Sequence, residues 1–139
     1  MNPMKPRVVL DTNVLISALI WVGKPSKILD AVKRGKVELI LSKEILMEFV
    51  KVLFRETKFK LSQNDIEDAL NMVSDPATLI EPIIAVDLLK DRSDNKILEC
   101  AISSSADYIV SGDKDLLRLE KFAGIKLVSV SDFLKLVAL

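Results

Sequence analysis

Short apolar runs alternate with amphipathic stretches along the whole 139-residue chain. The first run, RVVLD (7–11), is β-branched and apolar between its charged ends, which predicts a strand covered on both faces. Positions 13–20 read as a helix. Gly23 and Pro25 then break the pattern before a second helical stretch, Ser26 to Arg34, that stops at Gly35. VELIL (37–41) predicts the next strand. Ser42 follows as an N-cap, with Ile45, Leu46, Phe49, Val50 and Leu53 on one face of the helix it opens. Ser62 starts another helix, SQNDIEDALNMVS, through a capping box with Asp65 in the acid position, and Asp75-Pro76 ends it. In TLIEPII (78–84), Pro82 restricts any strand to an edge or an end. The remainder reads as a helix from Ser93 to Ser104, a strand DYIVSG (107–112), a short helix near 115–121, a strand IKLVSV (125–130) and a closing helix from Ser131.

Strands alternating with helices of this length predict an α/β fold with a parallel sheet of about five strands covered on both faces. Such sheets place ligands beyond the carboxyl ends of their strands, so the residues just after each strand are the first candidates for chemistry.

Composition narrows the chemistry. The length points to one domain over residues 1–139, and 50% apolar with 29% charged residues describes a folded, soluble chain. No apolar stretch approaches the roughly 20 residues that span a bilayer. The start, MNPMKPRVVLDTNVL, lacks the uninterrupted apolar region of a signal peptide, so a cytoplasmic protein is expected. Cys100 is the only cysteine and there is no histidine. Imidazole bases, Ser–His–Asp and Cys–His catalysis and the usual zinc sites are therefore excluded. Lys and Arg balance Asp and Glu at 20 each, so net charge predicts no partner.

Carboxylates remain. Asp11 ends the first predicted strand and Asp113 lies two residues past Val110; each is also placed to cap the helix that follows it. Asp94 shares a helix face with Ile97, Leu98 and Ala101, and a carboxylate turned inward is costly unless it is paired or binds a metal. The competing role is helix-start chemistry, with Asp91 as N-cap. Glu48 sits at the border of its helix's apolar stripe, where periodicity alone makes it a solvated flank, and Glu99 reads the same way. Asp115 and Asp91 are possible outer members. Gathered together, such acids persist only with cations, and all-oxygen donors select hard ions such as Mg²⁺ or Mn²⁺. Metal-assisted phosphoryl chemistry is the reaction class that follows.

With these positions in order, the chain resembles the PIN-domain family. VVLDTNVLISAL, LSKEILMEFVKVL and DRSDNKILECAISSSADYIVSGDKDLL carry the resemblance across nearly the whole sequence. It implies that Asp11, Glu48, Asp94 and Asp113 bind the metal, with Asp115 as a variable extra acid and Thr12, Asn13 and Ser111 as small polar neighbours. A second acid often precedes the one matching Asp94; here that position is Ser93. The resemblance further implies a three-layer α/β/α sandwich, Mg²⁺- or Mn²⁺-dependent cleavage of single-stranded RNA, and the toxin of a toxin–antitoxin pair, a homodimer neutralised by a small antitoxin.

Basic residues that could guide RNA are Lys51, Arg55, Lys58 and Lys60 in KVLFRETKFK (51–60), and Lys114 and Arg118 past Asp113. A solvated helix face is the simpler account of the first run and an equal one for the second pair. Trp21 could stack on a base, face a dimer partner or simply pack in the core. Two rivals stay in view. A haloacid-dehalogenase-type phosphatase needs an acid two residues beyond the strand-end nucleophile, where this chain has Asn13. An inactive binding module would most easily lose one of the four acids, and all four are present.

Overall fold

Val8, Val9 and Leu10 are wholly buried, as are Leu39, Ile40 and Leu41, because these strands are covered from both sides. The computed structural model describes residues 5–56 and 61–139. Its elements are β1 (Arg7–Leu10), α1 (Thr12–Ile20), α2 (Lys24–Lys33), β2 (Glu38–Ser42), α3 (Lys43–Glu56), α4 (Gln63–Ser74) and β3 (Thr78–Ile80). They continue with α5 (Arg92–Ser104), β4 (Tyr108–Val110), α6 (Lys114–Leu117), β5 (Lys121–Phe122), β6 (Ile125–Val128) and α7 (Val130–Leu136). The sheet order is β3-β2-β1-β4-β6-β5, and every pairing is parallel except β5 with β6. This is the expected α/β architecture, a mostly parallel sheet flanked by helices. Among the described residues no helix is long and apolar enough to cross a membrane.

Two local expectations change. Pro25 does not break the chain but sits in the first turn of α2, where its missing N–H costs no hydrogen bond. Gly23 and Ser26 close that helix start, the Gly23 N–H donating to Ser26 Oγ and the Ser26 hydroxyl donating to the Gly23 carbonyl. The short helix expected near 115–121 ends at Leu117. Ala123 and Gly124 then both take positive φ, at 50° and 83°, which is the backbone a tight two-residue hairpin requires. The result is β5, an extra antiparallel edge strand, giving six strands instead of about five.

Helix α5 serves two purposes. Ile97, Leu98 and Ala101 pack against the sheet, while Asn95, Glu99 and Ser103 form a polar row that fastens the irregular segment before the helix. Asn95 Oδ1 accepts from the Leu88 and Leu89 amides at 3.2 and 2.9 Å, and its Nδ2 donates to the Leu89 carbonyl at 2.8 Å. Glu99 accepts from the Val86 amide at 2.9 Å and Ser103 from the Ile83 amide at 3.0 Å. A segment without secondary structure needs such partners for its backbone. Glu99 is therefore buried and employed, not a solvated flank. The same fastening brings Asp91 to the head of α5, where it caps the Ser93 amide at 2.8 Å.

Candidate active site

The β1–β4–β6 ladder continues past its strands: the Asp11 amide donates to the Val110 carbonyl and the Ser111 amide to the Val128 carbonyl. Asp11 and Ser111 thus stand side by side at the carboxyl end of the sheet. The buried Ser111 hydroxyl donates a short hydrogen bond to Asp11 Oδ2, and its oxygen accepts the Asp113 amide at 2.9 Å. One hydroxyl ties two acids together. Asp11 Oδ1 caps α1 through the Val14 amide, and Asp113 Oδ1 caps α6 through the Asp115 amide. Capping and a shared site are not alternatives here, because each residue caps with one carboxylate oxygen.

Asp11, Glu48, Asp94 and Asp113 line one cleft of about 200 Å³, together with Thr12, Asn13, Asp91, Ser93, Arg55 and the apolar Val52 and Ile97. Asp94 is 8% exposed, as its helix phase predicts. Glu48 is half-buried because α3 packs against α1 and α5, so the border of its apolar stripe meets neighbouring helices. Glu48, Val52 and Arg55 follow one another at i, i+4 and i+7, a single face of α3. That spacing was the available signal for Arg55, which reads from the sequence as part of a solvated run. Asp91, a possible outer member from the sequence, lines the cleft as well as capping α5, and Ser93 lines it although the sequence assigns it no role there.

Other candidates lie elsewhere. Lys51 lines a separate apolar cleft with Met47, Val50 and Leu70, because it sits one residue off the Glu48–Arg55 face. Asp115, Lys114 and Arg118 are outside the acidic cleft; Arg118 and Asp115 form an exposed ion pair at 3.5 Å. Trp21 is exposed rather than core. Lys58 and Lys60 fall outside the described residues.

Charge in the cleft is poorly balanced. Burial, then the charges of Asp113, Asp91, Asp11 and Asp115, push the Asp94 carboxyl up to about 7. Asp94 receives no side-chain hydrogen bond from the described residues. Burial also raises Asp11, against the Ser111 and Val14 hydrogen bonds that lower it. The ion pairs among the described residues are Arg7–Glu38, Lys96–Glu99 and Arg118–Asp115, and none neutralises a lining acid. Among the described residues, Arg55 is the one cation lining the cleft.

This all-oxygen donor set fits a hard divalent cation, whose charge would relieve the repulsion. Among the described residues no three acids yet stand as a closed coordination shell, so binding would draw the side chains inward. A thiolate ligand or nucleophile is absent from the cleft: Cys100 is buried in α5 and its thiol is pushed up to about 12 by burial.

A mostly parallel α/β sheet with an acid-lined cleft at its strand ends defines the class, and comparison with known proteins gives the family. The PIN-domain profile matches residues 7–115, from β1 into the start of α6. An uncharacterized protein of Methanocaldococcus jannaschii is 38% identical over 122 residues, covering 86% of this chain and 78% of that protein. The chain belongs to the PIN-domain family. The solved structure of PAE2754 from Pyrobaculum aerophilum is similar with a TM-score of 0.65 and 17% identity, covering 96% of this chain and 90% of that one. VapBC2 from Rickettsia felis, bound to a DNA fragment from its promoter, gives 0.61 and 14% over 88% of this chain and 98% of that one. The PIN domain of Trypanosoma brucei Rrp44 gives 0.52 and 12% over 98% and 83%. At these identities the three structures share the fold.

Proposed function

We propose that residues 1–139 form one nuclease domain that hydrolyses phosphodiester bonds of single-stranded RNA, with Mg²⁺ or Mn²⁺ held by Asp11, Glu48, Asp94 and Asp113. The observation that carries this reading is the meeting of four carboxylates from four separate parts of the chain in one cleft, with Arg55 as the only lining cation among the described residues. When bound, such an ion polarises the scissile phosphate and lowers the pKa of the attacking water. The protein's own groups do the rest. Ser111 orients Asp11 through its hydroxyl and Asp113 through its backbone. Asp94, whose carboxyl is pushed up to about 7 by burial and the neighbouring acids, would bind a cation in its ionised form. Thr12, Asn13 and Ser93 supply small polar groups to the wall. Arg55, which lines the cleft, would grip a phosphate oxygen of the substrate, in the bidentate manner a guanidinium allows. Lys114 and Arg118 would meet the strand outside the cleft, Asp115 would add negative charge beside Asp94 while pairing with Arg118, and Lys51 would take no part.

In the same proposal the protein is the toxin of a toxin–antitoxin pair, a cytoplasmic homodimer silenced by a small antitoxin. The likeness of fold to VapBC2 supports that assignment.

The substrate class is tested by offering an RNA oligonucleotide and a small phosphomonoester in parallel, with Mg²⁺ or Mn²⁺ and then with chelator. RNA should be cut only with the cation, and the monoester left intact. Hydrolysis of the monoester with intact RNA would establish the phosphatase alternative instead. Within the site, Ser111→Ala should lower RNA cleavage about 10- to 100-fold, the usual effect of losing a group that orients a ligand. An unchanged rate in a folded Ser111→Ala protein would show that Asp11 needs no such support.

A further inference from the structure

Helices α2 and α7 pack side by side although about a hundred residues separate them, and Lys24 Nζ donates to Ser131 Oγ across their junction at 3.1 Å. Two adjoining hollows of about 350 and 330 Å³ lie along this junction and share Lys27, Ala138 and Leu139. Their walls carry Lys24, Lys27, Arg34, Lys36 and Lys135 against a single acid, Asp30. A carboxylate on Leu139 would still leave the balance positive. All five cations are exposed, and none takes part in an ion pair among the described residues. In a chain of zero net charge, this is a local concentration of unmatched positive charge.

Its course relates it to the carboxylate cleft. Ser131 follows β6 closely, so Lys24 stands at the carboxyl end of the sheet, the end that carries the acids. β6 is two strands from β1, a lateral distance of roughly 10 Å. Lys36 lies just before β2, at the opposite end of the sheet. From Lys24 to Arg34 the helix rises about 15 Å. The cations therefore run from beside the cleft down the outside of the molecule, at a length that suits several consecutive phosphates.

We propose that the α2–α7 groove is a backbone-binding track for the single-stranded RNA that leaves the carboxylate cleft. The proposal rests on the nuclease reading for its choice of polyanion. Cations spaced along a groove suit a phosphate chain, which can meet them one after another along its length. The track carries no base specificity, since phosphate contacts position a strand without reading it.

The test compares the full chain with a Lys27→Ala/Arg34→Ala/Lys36→Ala variant, whose three positions are exposed and outside the cleft. Binding of a long single-stranded RNA is followed by fluorescence anisotropy over a range of salt, both proteins also carrying Asp94→Asn to keep the RNA intact. Affinity should fall at least tenfold in the variant, and the slope of log K against log salt should shrink by about 2, at roughly 0.7 per lost phosphate contact. With Asp94 restored, cleavage of a dinucleotide, whose single phosphodiester occupies the carboxylate cleft and leaves no strand for the groove, should match the parent, and circular dichroism should report an unchanged fold. Equal affinity and equal slope would overturn the track while leaving the nuclease reading untouched. Absence of cleavage in the parent, with the binding difference intact, would sink the nuclease reading and keep the track. Capture by phosphatidylserine vesicles that depends on the three cations, with RNA affinity unchanged, would also overturn it.

Discussion

Replacing Asp94 with asparagine is expected to lower RNA cleavage about a thousandfold, the several kcal/mol that a charged metal ligand contributes at about 1.4 kcal/mol per tenfold. The change keeps the shape of the side chain and removes only its charge. It should not unfold the protein, because Asp94 accepts no side-chain hydrogen bond from the described residues and stands among acids that repel it. Stability should in fact change in a pH-dependent way. The carboxyl titrates near 7 in the folded chain and near 3.8 when unfolded. Between those values the unfolded state has lost a proton that the folded state keeps, so this group makes stability fall as pH rises from about 4 to about 7, with no further loss above. Asp94→Asn should remove that slope, leaving the metal-free variant more stable than the parent at pH 8 and nearly equal to it at pH 4. Thermal denaturation at the two pH values, beside a cleavage assay, checks both halves. Cleavage within tenfold of the parent would remove Asp94 from the mechanism.

Divalent cation should raise the melting temperature markedly at pH 8. A ligand present at a hundredfold excess over its Kd adds about 2.7 kcal/mol to the folded state, which for a chain of this size is roughly 8 °C. The shift should shrink at pH 5, where Asp94 keeps its proton and a cation must displace it. Asp94→Asn should lose most of the shift at either pH. Because the readout is stability, it separates loss of metal binding from loss of chemistry. An equal shift in the parent and in Asp94→Asn would place the cation elsewhere.

How much of this was legible in advance depended on the range of the interactions involved. Asp11 and Asp113 could be picked out because a parallel sheet presents its strand ends, and Asp94 because about 100° per residue puts it beside Ile97 and Ala101. These are local properties of a strand or a helix. Glu48 was suspected through family resemblance alone. Its place in the cleft depends on α3 meeting α1 and α5, which periodicity within α3 cannot express. Arg55 reads from the sequence as one of a basic run, and only its i+7 spacing from Glu48 points to the cleft. Pro25 misled because a proline stops a helix in its interior but starts one in its first turn. The β5–β6 hairpin escaped because Ala123-Gly124 lacks the Asn-Gly or Asp-Gly signature of such turns. The cationic groove has no sequence signature at all, since its walls come from α2 and α7 at opposite ends of the chain.

Everything proposed for the cleft depends on its four carboxylates holding a divalent cation together. Crystals soaked in Mn²⁺, with anomalous data collected at the manganese edge, test it most directly. A peak is expected in the cleft within ligating distance of Asp11, Asp94 and Asp113, with Glu48 turned towards it, and no such peak in crystals of Asp94→Asn. A peak confined to another surface, or one that survives unchanged in Asp94→Asn, would contradict it.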